Sequence, residues 1–123
     1  MAINVDKLNT MIQNFVTGTS DVEGAALVTP DGLPLANSLP AGMDEERVSA
    51  MSAAMLSLGE RIGHELSRGT IDRIYVEGDM GYGVLTSCAE DAVLLVLANK
   101  AVKQGVLMLE IKRVISELKL VLV

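Results

Sequence analysis

Residues 21–36, DVEGAALVTPDGLPLA, decide the fold of this chain. The segment reads as an apolar strand, a tight reversal at Pro30-Asp31-Gly32 and a returning strand. Pro30 presets its own φ and Gly32 supplies a position for positive φ, so the reversal has a mechanism. Gly24, Ala25 and Ala26 crowd the first arm with small residues, which suits a strand overlaid closely by other chain. The returning arm is expected over residues 33–39.

Upstream of the hairpin, Val5, Leu8, Met11, Ile12, Phe15 and Val16 recur at helical spacing and predict a helix over residues 5–17. Asn4 is its expected N-cap, Ile3 and Leu8 are placed for a hydrophobic staple, and Gly18 ends it. Downstream, Pro40-Ala41-Gly42 breaks the chain. Asp44 then caps a second helix, with Glu45 and Glu46 in its positive first turn. That helix is expected to run to Arg68, with Gly69 at the C′ position. Strands are expected over 70–77, 82–88 and 92–98, separated by the turns Gly78-Asp79-Met80-Gly81 and Ala89-Glu90-Asp91. The last of them, AVLLVLA, is continuously apolar and fits a central strand covered on both faces. The strand over 70–77 carries Asp72, Arg73 and Glu77, as an edge strand does. A final helix over 103–120 presents Leu107, Ile111, Val114, Ile115 and Leu118 on one side. Every strand-to-strand link except the long helical one is a hairpin. The expectation is therefore one α+β domain over residues 1–123, a five-stranded antiparallel sheet with helices on both faces.

Composition narrows the function. Hydrophobic residues make up 50% of the 123 and aromatic ones 2%, so aliphatic and methionine side chains must do the packing. A net charge of −6 disfavours phosphate backbones and anionic membranes. Phe15, Tyr75 and Tyr82 give no platform for stacking bases. One cysteine, Cys88, excludes an internal disulfide framework and a cysteine metal cluster. The start MAINVDKLNT lacks the basic and apolar regions of a signal peptide, and no apolar run approaches the ~20 residues that span a bilayer. A soluble, cytoplasmic protein without nucleic acid or membrane insertion is expected.

The candidate reactive groups have plain structural readings. Gly78, Gly81 and Gly83 lie between two strands, with no following helix and no Lys-Ser/Thr pair to make a phosphate loop. His64 falls on the polar side of the second helix near Glu60 and Arg68, where it could touch a partner, and no cluster completes a zinc site around it. Cys88 ends a strand without a histidine to activate it. Asp31, Asp44, Glu45, Glu46, Glu90, Asp91, Glu110 and Glu117 occupy turns, helix starts or polar helix faces, not a buried pair. No enzyme activity, metal or cofactor is expected.

The second helix departs from a core-plus-solvent pattern. Val48, Met51, Met55, Leu58, Ile62 and Leu66 read as its core face. A stripe of Ser52, Leu56, Gly59 and Gly63 runs beside it, bordered by Ser49, Ala53 and Glu60. Two glycines inside one helix cost about 1 kcal/mol each relative to alanine, so a close approach of another backbone should offset them. That backbone is either the protein's own sheet or a second copy of the chain. The second is the expectation, since the neighbouring edge strand also invites pairing.

The VEGAALVTPDGLPLA hairpin, the glycine turn before YGVLTS and the order of elements together cover residues 5–120. In these the chain resembles the Roadblock family of dynein light chain-type domains, and looks closest to the bacterial members that regulate Ras-like GTPases. The resemblance implies that the long second helix covers one face of the sheet and the terminal helices the other. It implies no catalytic site, and pairing of two copies through the second helix and the edge of the third strand. Carried over element by element, the pairing surface would be Ser52, Leu56, Gly59, Gly63, Ile71, Arg73 and Tyr75. The paired helices would offer a partner Glu46, Ser49, Ala53, Glu60, Arg61, His64 and Arg68. An arginine finger from Arg61 or Arg68 is chemically possible. The resemblance implies instead a regulator that remodels its GTPase partner's own site. A scaffold recruiting a motor, kinase or filament component is the alternative. A small-molecule sensor is weaker, because no polar pocket group stands out.

Overall fold

The computed structural model describes residues 4–122. Its elements are α1 (Val5–Gly18), β1 (Val22–Val28), β2 (Pro34–Ser38), α2 (Glu45–Glu65), β3 (Arg73–Gly78), β4 (Gly81–Ala89), β5 (Ala92–Ala98) and α3 (Gln104–Val121). The strands form one antiparallel sheet in the order β2-β1-β5-β4-β3. The apolar strand β5 is central and β3 is an edge, as their sequences predict.

Local chemistry explains the boundaries. Asn4 caps α1 by accepting from the Lys7 N–H at 3.0 Å, and Asp44 caps α2 by accepting from the Glu46 N–H at 3.1 Å. Ile3, the expected staple partner of Leu8, lies outside the described residues. At the β1–β2 reversal Gly32 takes φ +96°. Thr29 locks the turn: its hydroxyl donates to the Asp31 carboxylate at 2.5 Å and accepts from the Leu33 N–H at 2.9 Å. The small first arm has its predicted cause, because a Cβ on Gly24 would lie 2.8 Å from Pro40 Cδ and 3.1 Å from the Ser38 carbonyl oxygen.

The sheet separates two apolar layers. On one face α1 and α3 bury Leu8, Ile12, Phe15, Ile111 and Leu118 against Leu27, Val84, Leu94 and Val96. On the other α2 covers Ala26, Val28, Leu85, Val93 and Leu95. Burying aliphatic side chains of this size stabilises by about 1.5–3 kcal/mol each, which lets a core with almost no aromatic residues hold together.

Two boundaries differ from the expectation by three residues, for one reason, while the others agree within one. Helix α2 ends at Glu65 instead of Arg68, and β3 starts at Arg73 instead of Thr70. Ser67 takes φ +56°, and the N–H groups of Arg68 and Gly69 both donate to the Gly63 carbonyl, at 2.7 and 3.1 Å. The chain doubles back so that Ile71 lies against Gly63, and residues 70–72 serve that contact before strand geometry begins.

Candidate functional site

The expected core face of α2 holds at Val48, which is buried, and at Met55, which is half-buried against the α2-side core, but the rest of that stripe and the small-residue stripe exchange roles. Of this helix only Val48, Ser49, Ser52 and Gly63 are buried. A Cβ on Gly59 would meet Ile74 Cδ1 at 2.5 Å. One on Gly63 would meet the Gly69 carbonyl oxygen at 2.6 Å and Ile71 Cδ1 at 2.7 Å. The backbone that approaches the glycines is therefore the protein's own, from the 69–74 segment. The stripe Ser52, Leu56, Gly59, Gly63 and its contact Ile71 are occupied within the chain, which removes the reason for assigning them to a second copy.

The large apolar stripe is correspondingly left outside. Met51 is 56% exposed, Leu58 59%, Ile62 46% and Leu66 62%, where a core face was expected. The cause is steric. The sheet under α2 already carries large side chains at Ile74, Leu85 and Leu95, so Val48, Met55 and Leu56 fill the layer that remains, the glycines take the closest approach, and Met51, Leu58, Ile62 and Leu66 overhang. Of these, Met51 shares a groove with Val76, itself 52% exposed, on the edge strand β3. Beside this ridge, at the N-terminal half of α2, Met51, Met55, Val76, Tyr82 and Leu97 line an apolar groove of about 560 Å³. An exposed apolar surface continuous over a helix and an open sheet edge is the mark of an interaction site.

Strand β3 alternates as an edge strand must. Ile74 and Val76 face α2, against Gly59 and in the groove. Arg73 and Tyr75 face α3: Tyr75 Oη lies 2.7 Å and Arg73 Nη1 3.4 Å from Met108 Sδ. These two, expected in the pairing surface, thus reach away from α2, although their backbone remains on the edge. Glu77 pairs with Lys100 at 3.1 Å, and the Lys100 ammonium lies 4.7 Å from the Tyr82 ring centroid. The hydrogen bond to Glu77 raises the Lys100 pKa above its ordinary value.

The expected partner platform is brought together in part. Glu46, Glu60, Arg61, His64 and Arg68 are exposed. Glu60 and His64 border a hollow with Ser67, Gly69 and Thr70, and Arg61 Nη2 lies 3.8 Å from Glu65 Oε1. Ser49 does not belong with them: it is 1% exposed and its hydroxyl donates to the Glu45 carbonyl at 2.7 Å. Ala53 is half-buried and abuts the β1–β2 turn at Gly32.

The reactive candidates sit as their sequence contexts suggest. Cys88 is buried, and desolvation pushes its thiol up to about 11, leaving no thiolate near neutrality. Gly78 and Gly81 close a two-residue hairpin between β3 and β4. Among the described residues no group of three or more His, Cys, Asp or Glu could hold a metal, and no helix is long and apolar enough to cross a membrane.

Known proteins share this architecture. A model of the Roadblock/LC7 domain matches residues 8–98. Two uncharacterized proteins of Methanocaldococcus jannaschii are each 32% identical over 101 residues, covering 82% of this chain and 88% of theirs. A Roadblock/LC7 domain from Streptomyces avermitilis superposes with a TM-score of 0.84 at 20% identity, over 90% of this chain and 93% of that one. Myxococcus xanthus MglB gives 0.86 at 17% identity, over 96% and 89%. The gliding protein mglB of Thermus thermophilus gives 0.78 at 13% identity, over 94% and 87%.

Proposed function

The chain belongs to the Roadblock/LC7 domain family, and from that premise we propose that it is a non-catalytic homodimeric regulator of a small Ras-like GTPase. One observation carries the reading: Met51, Leu58, Ile62 and Leu66 form an exposed apolar ridge on α2 beside the unpaired edge of β3. Two copies related by a two-fold axis would pair their β3 edges and bury both ridges. Antiparallel pairing brings the C-terminal half of one α2 over the far end of the other β3, where the Met51–Met55–Val76 groove lies open. A specific interface of this kind buries roughly 1,200–2,000 Å² in total. The pairing surface is then the large apolar stripe with the β3 backbone, and the small stripe seats the helix within each copy.

Pairing leaves the polar flank of both α2 helices as a platform, with Glu46, Glu60, Arg61, His64 and Arg68 as contacts and Ala53 at its margin. The mixture of signs suits a polar, specific contact. The partner class comes from the family resemblance, and the acidic balance of the chain supports a protein partner over nucleic acid. The protein acts in the cytoplasm as one domain over residues 1–123, without cofactor or metal.

The test is binding of wild type and Arg61→Glu to a Ras-like GTPase of the same genome, loaded with GTP or GDP analogues, at two salt concentrations. The proposal expects preference for one nucleotide form and weakened, more salt-sensitive binding by the variant, because exposed charges act mainly on association rate. Equal affinity for both forms would support a scaffold instead, since an equal-affinity ligand shifts no two-state switch.

A further inference from the structure

We propose that β3 carries its own pairing code: two copies join antiparallel about a two-fold axis at Tyr75, with Arg73 of each opposite the partner subunit's Glu77. The proposal rests on the homodimer reading and adds the register that reading leaves open.

The ladder on the inner side of β3 fixes which backbone groups are free. The Asp72 carbonyl accepts from the Ser87 N–H at 3.3 Å, and Gly78 faces Gly81 at the closing end of the hairpin. Antiparallel alternation then turns the N–H and C=O groups of Ile74 and Val76 toward β4, and those of Arg73, Tyr75 and Glu77 outward. A two-fold axis through the sheet keeps both α2 helices on one side, so only positions of like parity can face each other. With the axis at Tyr75, all three outward residues exchange hydrogen bonds along the full strand. Arg73 meets the partner's Glu77 twice, by symmetry, on the α3 face. Ile74 meets the partner's Val76 on the α2 face, under the apolar ridges. Opposite charges and paired aliphatic residues at directly facing positions are what stabilise an antiparallel pair.

Neighbouring registers lose this match. An axis at Ile74 sets Arg73 against Tyr75. An axis at Val76 sets Tyr75 against Glu77 and sends Arg73 past the partner strand to Asp79 in the turn. Arg73 has capacity for the added acceptor. Its Nη2 meets Asp72 at 2.9 Å and its Nη1 lies 3.4 Å from Met108 Sδ, and each of these nitrogens carries a second N–H to donate. Glu77 would then lie between Lys100 of its own chain and the partner's Arg73.

The code can be read by charge exchange. Arg73→Glu and Glu77→Arg are each expected to weaken homodimerisation about tenfold or more in sedimentation, since both facing pairs become like-charged. Mixed one to one, the two variants regain complementary charges at both positions and should form a heterodimer with near wild-type affinity. A Tyr75→Cys variant should oxidise to a disulfide dimer, because facing Cα atoms of a hydrogen-bonded pair lie about 5.5 Å apart, within disulfide range. Val76→Cys, whose own copy would face it only in the shifted register, should stay reduced. Dimers as tight as wild type for both charge variants, or a mixture no tighter than its components, would overturn the register. Self-linkage through Val76→Cys in place of Tyr75→Cys would also overturn it. A wild-type chain that is monomeric would remove the homodimer itself.

Discussion

Replacing Gly63 by alanine tests the seating of α2 on the sheet. Within a helix, Gly→Ala gains about 1 kcal/mol of helix propensity. At Gly63 the new methyl would lie 2.6 Å from the Gly69 carbonyl oxygen, 2.7 Å from Ile71 Cδ1 and 2.9 Å from Ile71 Cγ1. Backbone at 69 is held by its own N–H bond to the Gly63 carbonyl and cannot yield alone. Overpacking of this sort costs about 1–3 kcal/mol. Subtracting the propensity gain leaves Gly63→Ala less stable than wild type by up to about 2 kcal/mol. At Gly59 the tightest contact is Ile74 Cδ1, the far end of a flexible side chain. A rotamer adjustment there costs about 0.5–1.5 kcal/mol, so Gly59→Ala should fall near wild type. The assay is urea unfolding followed by far-ultraviolet circular dichroism, at one protein concentration because association adds stability by mass action. Gly63→Ala more stable than wild type, or Gly59→Ala the more damaging of the two, would refute the close approach of the 69–71 backbone.

Leu58→Arg, at a site 59% exposed, should leave folding within about 0.5 kcal/mol of wild type yet convert the dimer to monomer in sedimentation velocity. An unchanged dimer would move the interface off the ridge. Cys88, whose folded thiol titrates at about 11 against an ordinary 9.0, keeps its proton in the native state while the unfolded chain loses it. Its contribution is fully present below pH 9 and is lost as pH rises toward 11, on the order of 2–3 kcal/mol. Cys88→Ala should flatten that alkaline fall in urea midpoints, and equal slopes for the two proteins would contradict it.

The fold was legible because its punctuation is strong and local. Thr29 to Leu33 encode a turn, Asn4 and Asp44 encode helix starts, and AVLLVLA encodes a central strand. Orientation of α2 was not legible by periodicity alone. The helix carries two apolar stripes, about a quarter-turn apart, and one sheet. Larger residues were the natural candidates for burial, but Ile74, Leu85 and Leu95 had already filled the space beneath. Gly59 and Gly63 signalled a close approach correctly without saying whose backbone approaches. The clue lay downstream, in Gly69 and Ile71, which return the chain beneath its own helix. Arg73 and Tyr75 illustrate the same limit at the edge strand. Alternation places them on one face, but which face depends on the packing of Ile74 under Gly59. Ser49 reads as a polar surface position, yet it can be buried because its hydroxyl bonds back to the Glu45 carbonyl.

The regulator reading stands or falls on a GTPase's nucleotide cycle. Single-turnover GTP hydrolysis and nucleotide release by a Ras-like GTPase of the same genome should be measured with saturating wild-type protein and with Leu58→Arg. The account predicts that wild type changes one of the two rates by at least about tenfold, a barrier difference near 1.4 kcal/mol, and that the monomeric variant does not. Rates unchanged by saturating wild-type protein, with binding verified in the same sample, would contradict it.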